Sequence, residues 1–214
     1  VYDIGENSFT LRFDPFEAAE IGAEVQVLYV VAEEGAGTLG GLAYQAGSAL
    51  ISDTFFPTSA SRPWNGVAFP SSFSGAPQVL TQVMSDNDAT AVTTRIDAVD
   101  AYGFDVLLQE SEIESDTGQP HSPEEVGWIA IEAGQGLTAG GRLVWVTNVG
   151  ATHDYTDLTF PAAIGANHPI AVADMQTTIG IDAAVARLQG IDDLGVFVTV
   201  REETTVTPET VHTT

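Results

Sequence analysis

Cysteine is absent from this 214-residue chain, and so is lysine. Without cysteine there can be no disulfide, no thiol nucleophile and no zinc–thiolate site. Positive charge is scarce. The only basic side chains besides histidine are arginines 12, 62, 95, 142, 187 and 201, set against 30 acidic residues, for a formal net charge of −24. Such a surface repels phosphate backbones and anionic headgroups, which excludes nucleic acid and the anionic membrane face as partners. No apolar run reaches the ~18 residues that a membrane-spanning helix needs, so no membrane insertion is expected. Catalytic signatures are missing too: there is no GxSxG elbow, phosphate loop, dinucleotide fingerprint or HExxH. So many acids make carboxylate pairs unavoidable, and nothing marks one pair as special. The expectation is a non-enzymatic protein without a resident cofactor.

What is present is apolar and short-range. Hydrophobic residues make up 44% of the chain, enough to build real cores. The acidic surface keeps a protein dispersed where salt screens self-repulsion, so a halophilic or marine source is expected. The dominant period is two. Ser8–Phe13, Glu24–Ala32, Phe104–Leu108, Val126–Ile131, Leu143–Val146 and Val196–Val200 are short alternating or apolar runs. They are rich in β-branched and aromatic residues and bounded by Gly, Pro, Asp, Asn or Ser, which predicts an all-β sandwich or barrel.

The chain also repeats itself. Phe69-Pro70 matches Phe160-Pro161, Arg95 matches Arg187, Gly103 matches Gly195 and His121 matches His212, at offsets of 91 or 92. A partial copy lies at the N-terminus: Tyr29–Gly35 matches Trp128–Gly134, and Gly40-Gly41 matches Gly140-Gly141. The unit is therefore about 90–100 residues, the size of a β-sandwich. The repeat decides one ambiguous segment. Gly180–Ile191 is Ala-rich and helical in isolation, but its partner Ala89–Val99 alternates as a strand does, so a strand is expected. Three segments follow: residues 1–35, the C-terminal strands of a partial repeat; 36–135, a complete sandwich; and 136–214, a sandwich lacking its last strand. Ends cut mid-repeat imply either an excerpt of a longer array or completion by another copy of the chain. The expected partner is therefore the chain itself, as a head-to-tail polymer or a tandem array.

The complete unit carries W-N-G-V-A-F-P-S-S-F (64–73), A-P-Q-V-L-T-Q-V (76–83), T-R-I-D-A-V-D-A-Y-G-F (94–104) and V-G-W-I-A-I-E (126–132). This combination resembles the H-type lectin domain, known from snail agglutinins and from repeats of marine bacterial surface proteins. The resemblance covers most of residues 64–134 and, more weakly, 155–203. It implies a six-stranded antiparallel β-sandwich, frequent trimers, and N-acetylgalactosamine binding with no metal touching the sugar. The sugar site does not carry over. The Trp-His pair of the snail members falls on Ser111 and Glu112, and their sugar-reading arginine on Ala91. Arg95 matches a framework arginine. The reading is thus a structural or adhesive extracellular protein, part of a surface fibre or virion appendage; the alternative is a glycan-binding module.

Few residues stand out as candidate sites. Trp64, in a loop after Pro63, is the best candidate for a sugar platform; beside it, Glu112 and His121 complete the candidate ligand-binding set. For His121 the favoured reading is a loop residue capping the strand that follows. Asp86 and Asp88 open like a calcium loop but lack the Gly and closing Glu of an EF-hand, so Ca2+ is the one cation they suggest. The expected core of the complete unit is Val67, Phe69, Val79, Leu80, Val83, Ile96, Phe104, Val106, Trp128 and Ile131.

Overall fold

A computed structural model describes residues 8–11, 29–52, 54–55, 62–88, 90–110, 121–161, 169–180 and 183–202. Among these residues there are thirteen strands and no helix. The all-β expectation therefore holds, including at the Ala-rich segment, where Ala184–Gln189 is a strand.

Two sheets face each other over the first half of the chain. One is antiparallel: β1 (Gly35–Leu39), β2 (Leu42–Ile51), β5 (Gln78–Val83) and β8 (Glu124–Ile131) lie in the order β1-β2-β8-β5. The other is built on β7 (Gly103–Glu110). Along one edge β7 pairs with β4 (Asn65–Ala68) and, in parallel, with β3 (Thr54–Phe55); along the other it pairs with β6 (Val92–Asp97). Alternation sends every second residue into the space between the sheets. Val126, Trp128 and Ala130 enter from β8, and Phe104, Val106 and Leu108 enter from β7. Phe69 and Phe73, from the loop after β4, close one end with their rings 5.1 Å apart and at 84°. This is sandwich packing of two inner faces.

Most of the expected core lies here, with Val67 and Val83 half-buried against it. Leu80 does not. Val79 faces the core, so the period of two turns Leu80 to the other face of β5, where it is half-buried. A second correction concerns the N-terminal copy of β8. Tyr29–Glu34 is described and forms no strand, because nothing in the described chain pairs with it. Residues 12–28, including the start of that run, lie outside the described residues.

The second half holds a hairpin of β9 (Gly134–Leu137) and β10 (Leu143–Val146), and a sheet of β11 (Thr156–Thr159), β12 (Ala184–Gln189) and β13 (Gly195–Glu202) in the order β11-β13-β12. That sheet has the order, directions and register of β4-β7-β6. Asn65 faces Val106 as Thr156 faces Val198, and Val92 faces Glu110 as Ala184 faces Glu202. The turns agree in detail. Asp100 Oδ1 accepts from the amides of Tyr102 and Gly103 at 2.7 and 3.0 Å; Asp192 Oδ1 accepts from Leu194 and Gly195 at 2.8 and 3.0 Å. Ala98 has φ 50°, and its partner position is Gly190 with φ 61°, the residue that tolerates this region best.

The matched glycines allow a paired test. A Cβ on Gly103 would lie 2.3 Å from the carbonyl oxygen of Val67, and one on Gly195 would lie 2.7 Å from that of Leu158. Backbone of a paired strand cannot yield cheaply, so Gly103→Ala should destabilise the fold by about 1–3 kcal/mol, as overpacking does. Gly195→Ala should cost less. Urea unfolding of the two variants checks the order; equal stabilities would contradict it.

Candidate functional site

The sandwich of the first half is open along one side, where the edge strands β5 and β6 lie next to each other. Thr81 Oγ1 and Thr94 Oγ1 join these edges at 2.8 Å. An open edge exposes unpaired amides and carbonyls. Here residues 174–180 cover it. Gln176 acts as a short length of strand: its Oε1 accepts from the amide of Val79 at 2.8 Å, and its Nε2 donates to the carbonyl of Val79 at 2.6 Å. Asp174 Oδ2 accepts from both the amide and the hydroxyl of Thr81 at 2.8 Å. Thr178 Oγ1 donates to the carbonyl of Ile96 on β6 at 3.0 Å. Arg62 donates to the carbonyls of Thr178, Ile179 and Gly180 at 2.7, 2.9 and 3.0 Å. One segment thus bridges both sheets of the sandwich from ~90 positions further along the chain.

Arg95 anchors this seam from below. It is 2% exposed, its guanidinium donates to Gln109 Oε1 at 2.9 Å, and its Nε reaches Thr178 Oγ1 at 3.4 Å. A buried cation needs such partners, because leaving it unpaired costs several kcal/mol. Its repeat partner Arg187 is exposed. The same arginine is therefore covered in one half and open in the other.

Asp174 carries the charge of the seam. The residue as a whole is half-buried, but its carboxyl is desolvated beneath β5. That desolvation raises its pKa, against the opposing pull of the Thr81 and Met175 hydrogen bonds and the attraction of Arg95. A folded-state pKa above the unfolded one means that the unfolded chain ionises first, so stability falls as pH rises through that interval. Asp174→Asn removes this dependence. Its melting temperature relative to the unsubstituted chain should therefore climb between pH 3.5 and pH 7; a gap independent of pH would refute the burial argument. Gln176→Ala tests the seam itself. It strips partners from both backbone groups of Val79, at about 1–3 kcal/mol for polar groups left unsatisfied. Denaturant unfolding should show this loss, and a cost below 0.5 kcal/mol, the usual range for surface substitutions, would show that the segment does not hold.

The candidate residues read from the sequence lie elsewhere. Trp64 sits half-buried just before β4, its amide donating to the carbonyl of Arg62 at 3.0 Å. Glu112 lies outside the described residues. Asp86 and Asp88 lie in the loop after β5, and Asp88 meets the segment that leads into β8, beside His121. There Asp88 accepts from the amides of Ser122 and Thr90 at 3.1 and 3.2 Å. These bonds, Ser122 first, lower its pKa, and His121 adds to the effect. Glu124 accepts from the amide of Asn87 at 2.9 Å and from the Ser85 hydroxyl. His121 is buried, its Nε2 3.0 Å from the carbonyl of Thr90 and its Nδ1 2.6 Å from that of Ser122. The Asp88 and Glu124 carboxylates thus serve as acceptors that lace the loop to β8. Among the described residues no three His, Asp or Glu side chains converge as metal ligands would.

Sequence reasoning missed Asp174, Gln176 and Thr178. The one signal was indirect: residues 170–175 align with β5 in the internal comparison of the chain. In the structure they form no strand.

The fold and the seam define an all-β protein whose strongest polar construction joins one part of the chain to another. No family model matches the chain, and no solved structure matches it. Among curated proteins it is similar to halomucin from Haloquadratum walsbyi, 27% identical over 206 residues that cover 95% of this chain. The chain spans about 2% of the length of that curated relative.

Proposed function

We propose that this chain is a structural segment of an extracellular surface protein from a salt-loving microbe, not an enzyme, built from tandem sandwich units that resemble H-type lectins. The observation that carries the reading is the seam. Residues 174–180 fill the open side of the preceding sandwich through side-chain bonds to both of its sheets. Such a joint suits a stiff rod better than a string of mobile modules. The matching registers of β4-β7-β6 and β11-β13-β12 support tandem units of about 36–135 and 136–214, with residues 1–35 belonging to a preceding one. Similarity along nearly the whole chain to a small part of halomucin, named as a mucin, supports a place outside the cell in a much longer repetitive protein. The charge of −24 suits molar salt.

Glycan binding by a lectin-like unit is the second reading, favoured by the four sequence segments that resemble that family. Imaging at molar salt together with a glycan array separates the two. Straight, stiff particles without glycan signal support the structural role. Saturable sugar binding by flexible particles overturns it in favour of the second.

A further inference from the structure

We infer that the outer face of the β11-β13-β12 sheet binds an extended acidic peptide segment of another protein molecule, with one carboxylate of that segment held between Arg187 and Arg201. A rod could carry or lack such a site, so the proposal goes beyond the structural reading. The matching sheet β4-β7-β6 is the template. There Ile96, Val106 and Leu108 enter the core, so alternation puts Arg95, Leu107 and Gln109 on the outer face. All three are buried. Arg95 donates to Gln109 Oε1 at 2.9 Å, and its Nε lies 3.4 Å from Thr178 Oγ1, which donates to the Ile96 carbonyl. Asp174, four residues before Thr178, is attracted by the same guanidinium. A short polar segment bearing a carboxylate thus closes the Arg95 side of the first sheet.

The second sheet keeps the register and changes the chemistry. Arg95 faces Leu107 and Thr93 faces Gln109; Arg187 faces Thr199 and Val185 faces Arg201. Arg201 therefore stands where Gln109 stands. A glutamine amide oxygen accepts a hydrogen bond, whereas a guanidinium only donates. Arg187 thus lacks the acceptor that Arg95 has, and no hydrogen bond or ion pair joins it to another described residue. Arg201 is held in place. Its guanidinium lies 5.7 Å over the Tyr155 ring, and its Nη2 donates to the Tyr155 hydroxyl at 3.4 Å. That hydroxyl donates in turn to Gln189 Oε1 at 2.9 Å.

Both arginines are exposed, as are Tyr155 and Phe197. Two of the six cations of a chain with net charge −24 thus stand as diagonal neighbours on one face. Like charges so placed repel each other unless an anion lies between them. Asp157 shares this face, but it stands opposite Phe197 on the far strand β11, so an incoming carboxylate is drawn to the β12 side. A small anion would satisfy the arginines and leave Phe197 and Val185 exposed; a peptide covers them as well. Carrying the template across places a Ser or Thr hydroxyl of the segment at the Leu188 carbonyl and an acid four residues before it. Such recognition of an acidic segment by paired arginines draws on charge-assisted, bidentate hydrogen bonds.

The probe is a capped, fluorescent synthetic peptide, A-V-A-D-M-Q-T-T-I-G, a copy of residues 171–180, added to the full chain at about 0.5 M NaCl. The chain's own residues 174–180 already fill the first seam, so the probe is directed to the second sheet. Fluorescence anisotropy should saturate at one peptide per chain. Arg187→Gln should weaken binding about tenfold, the worth of a charge-assisted hydrogen bond. Arg201→Gln should do the same, because it gives Arg187 the internal acceptor that Arg95 has. A probe carrying Asp174→Asn should bind as weakly. Arg142→Gln, at an exposed arginine beside β10, should leave binding unchanged. No saturable binding, equal loss from Arg142→Gln, or full binding of the Asp174→Asn probe overturns the inference. Tighter binding of a sulfated polysaccharide than of the peptide, lost in the same arginine variants, overturns it in favour of a glycan site.

Discussion

Trp128→Ala is expected to destabilise the first sandwich by about 3–5 kcal/mol, the range for an aromatic removed from a packed core. Trp128 occupies the middle of the central strand β8 and is 5% exposed. Its ring lies 5.6 Å from that of Phe69 and 6.0 Å from that of Phe104, both at tilted or edge-on angles that favour aromatic pairs. Gly47 on β2 leaves the space: a Cβ there would come within 2.8 Å of the indole. Alanine would leave a void that neighbours on two hydrogen-bonded sheets cannot collapse to fill. Urea is the suitable denaturant, since guanidinium would also screen the charge. The control is Trp145→Ala. Trp145 is half-buried on the short hairpin and meets one ring, that of Phe160 at 5.8 Å. Its loss should be clearly smaller, and equal losses would place the core elsewhere.

Raising NaCl from 0.05 to 2 M should raise the melting temperature by about 10 °C. The net charge of −24 repels itself most in the compact state. The screening length shrinks from ~30 Å at 0.01 M to ~3 Å at 1 M, so at high salt only near neighbours interact. If screening recovers about 3 kcal/mol, a chain of this size shifts at ~2–4 °C per kcal/mol. KCl should act like NaCl, whereas an uncharged osmolyte at matched osmolarity should do less. A melting temperature that stays flat or falls with salt would contradict the charge argument. The response also bears on Asp88, whose carboxylate is held by local backbone amides. Those bonds lie within a few ångströms and should survive the screening.

Much of this architecture was legible before any coordinates, because it is local. Alternation at Val126–Ile131 and at Phe104–Leu108 reports which residues face inward through the pleat alone. The offsets of 91 and 92 place Gly103 with Gly195 and Arg95 with Arg187, and they overrode the helical look of Ala183–Gln189. Leu80 shows the limit of reading hydrophobicity without phase: one residue beside Val79 is the other side of the sheet. At Trp64, Asp86 and Asp88 residue type alone does not choose between uses. Aromatic and carboxylate residues serve packing and loop bonding as readily as ligands, and only their neighbours decide between these uses.

The amino-acid sequence by itself determined the all-β class, the strand at Ala184–Gln189, the acidic charge and most of the first core. Each follows from residue type and spacing over short stretches, or from comparing the chain with itself. Tertiary structure alone decided that Arg95 is buried and Arg187 exposed, and that Asp174, Gln176 and Thr178 close the side of a sandwich whose strands lie ~90 residues earlier. Nothing in D-M-Q-T-T (174–178) announces this. A carboxylate, an amide and a hydroxyl can satisfy many backbone edges, and which edge they meet depends on where folding brings two distant open strands together.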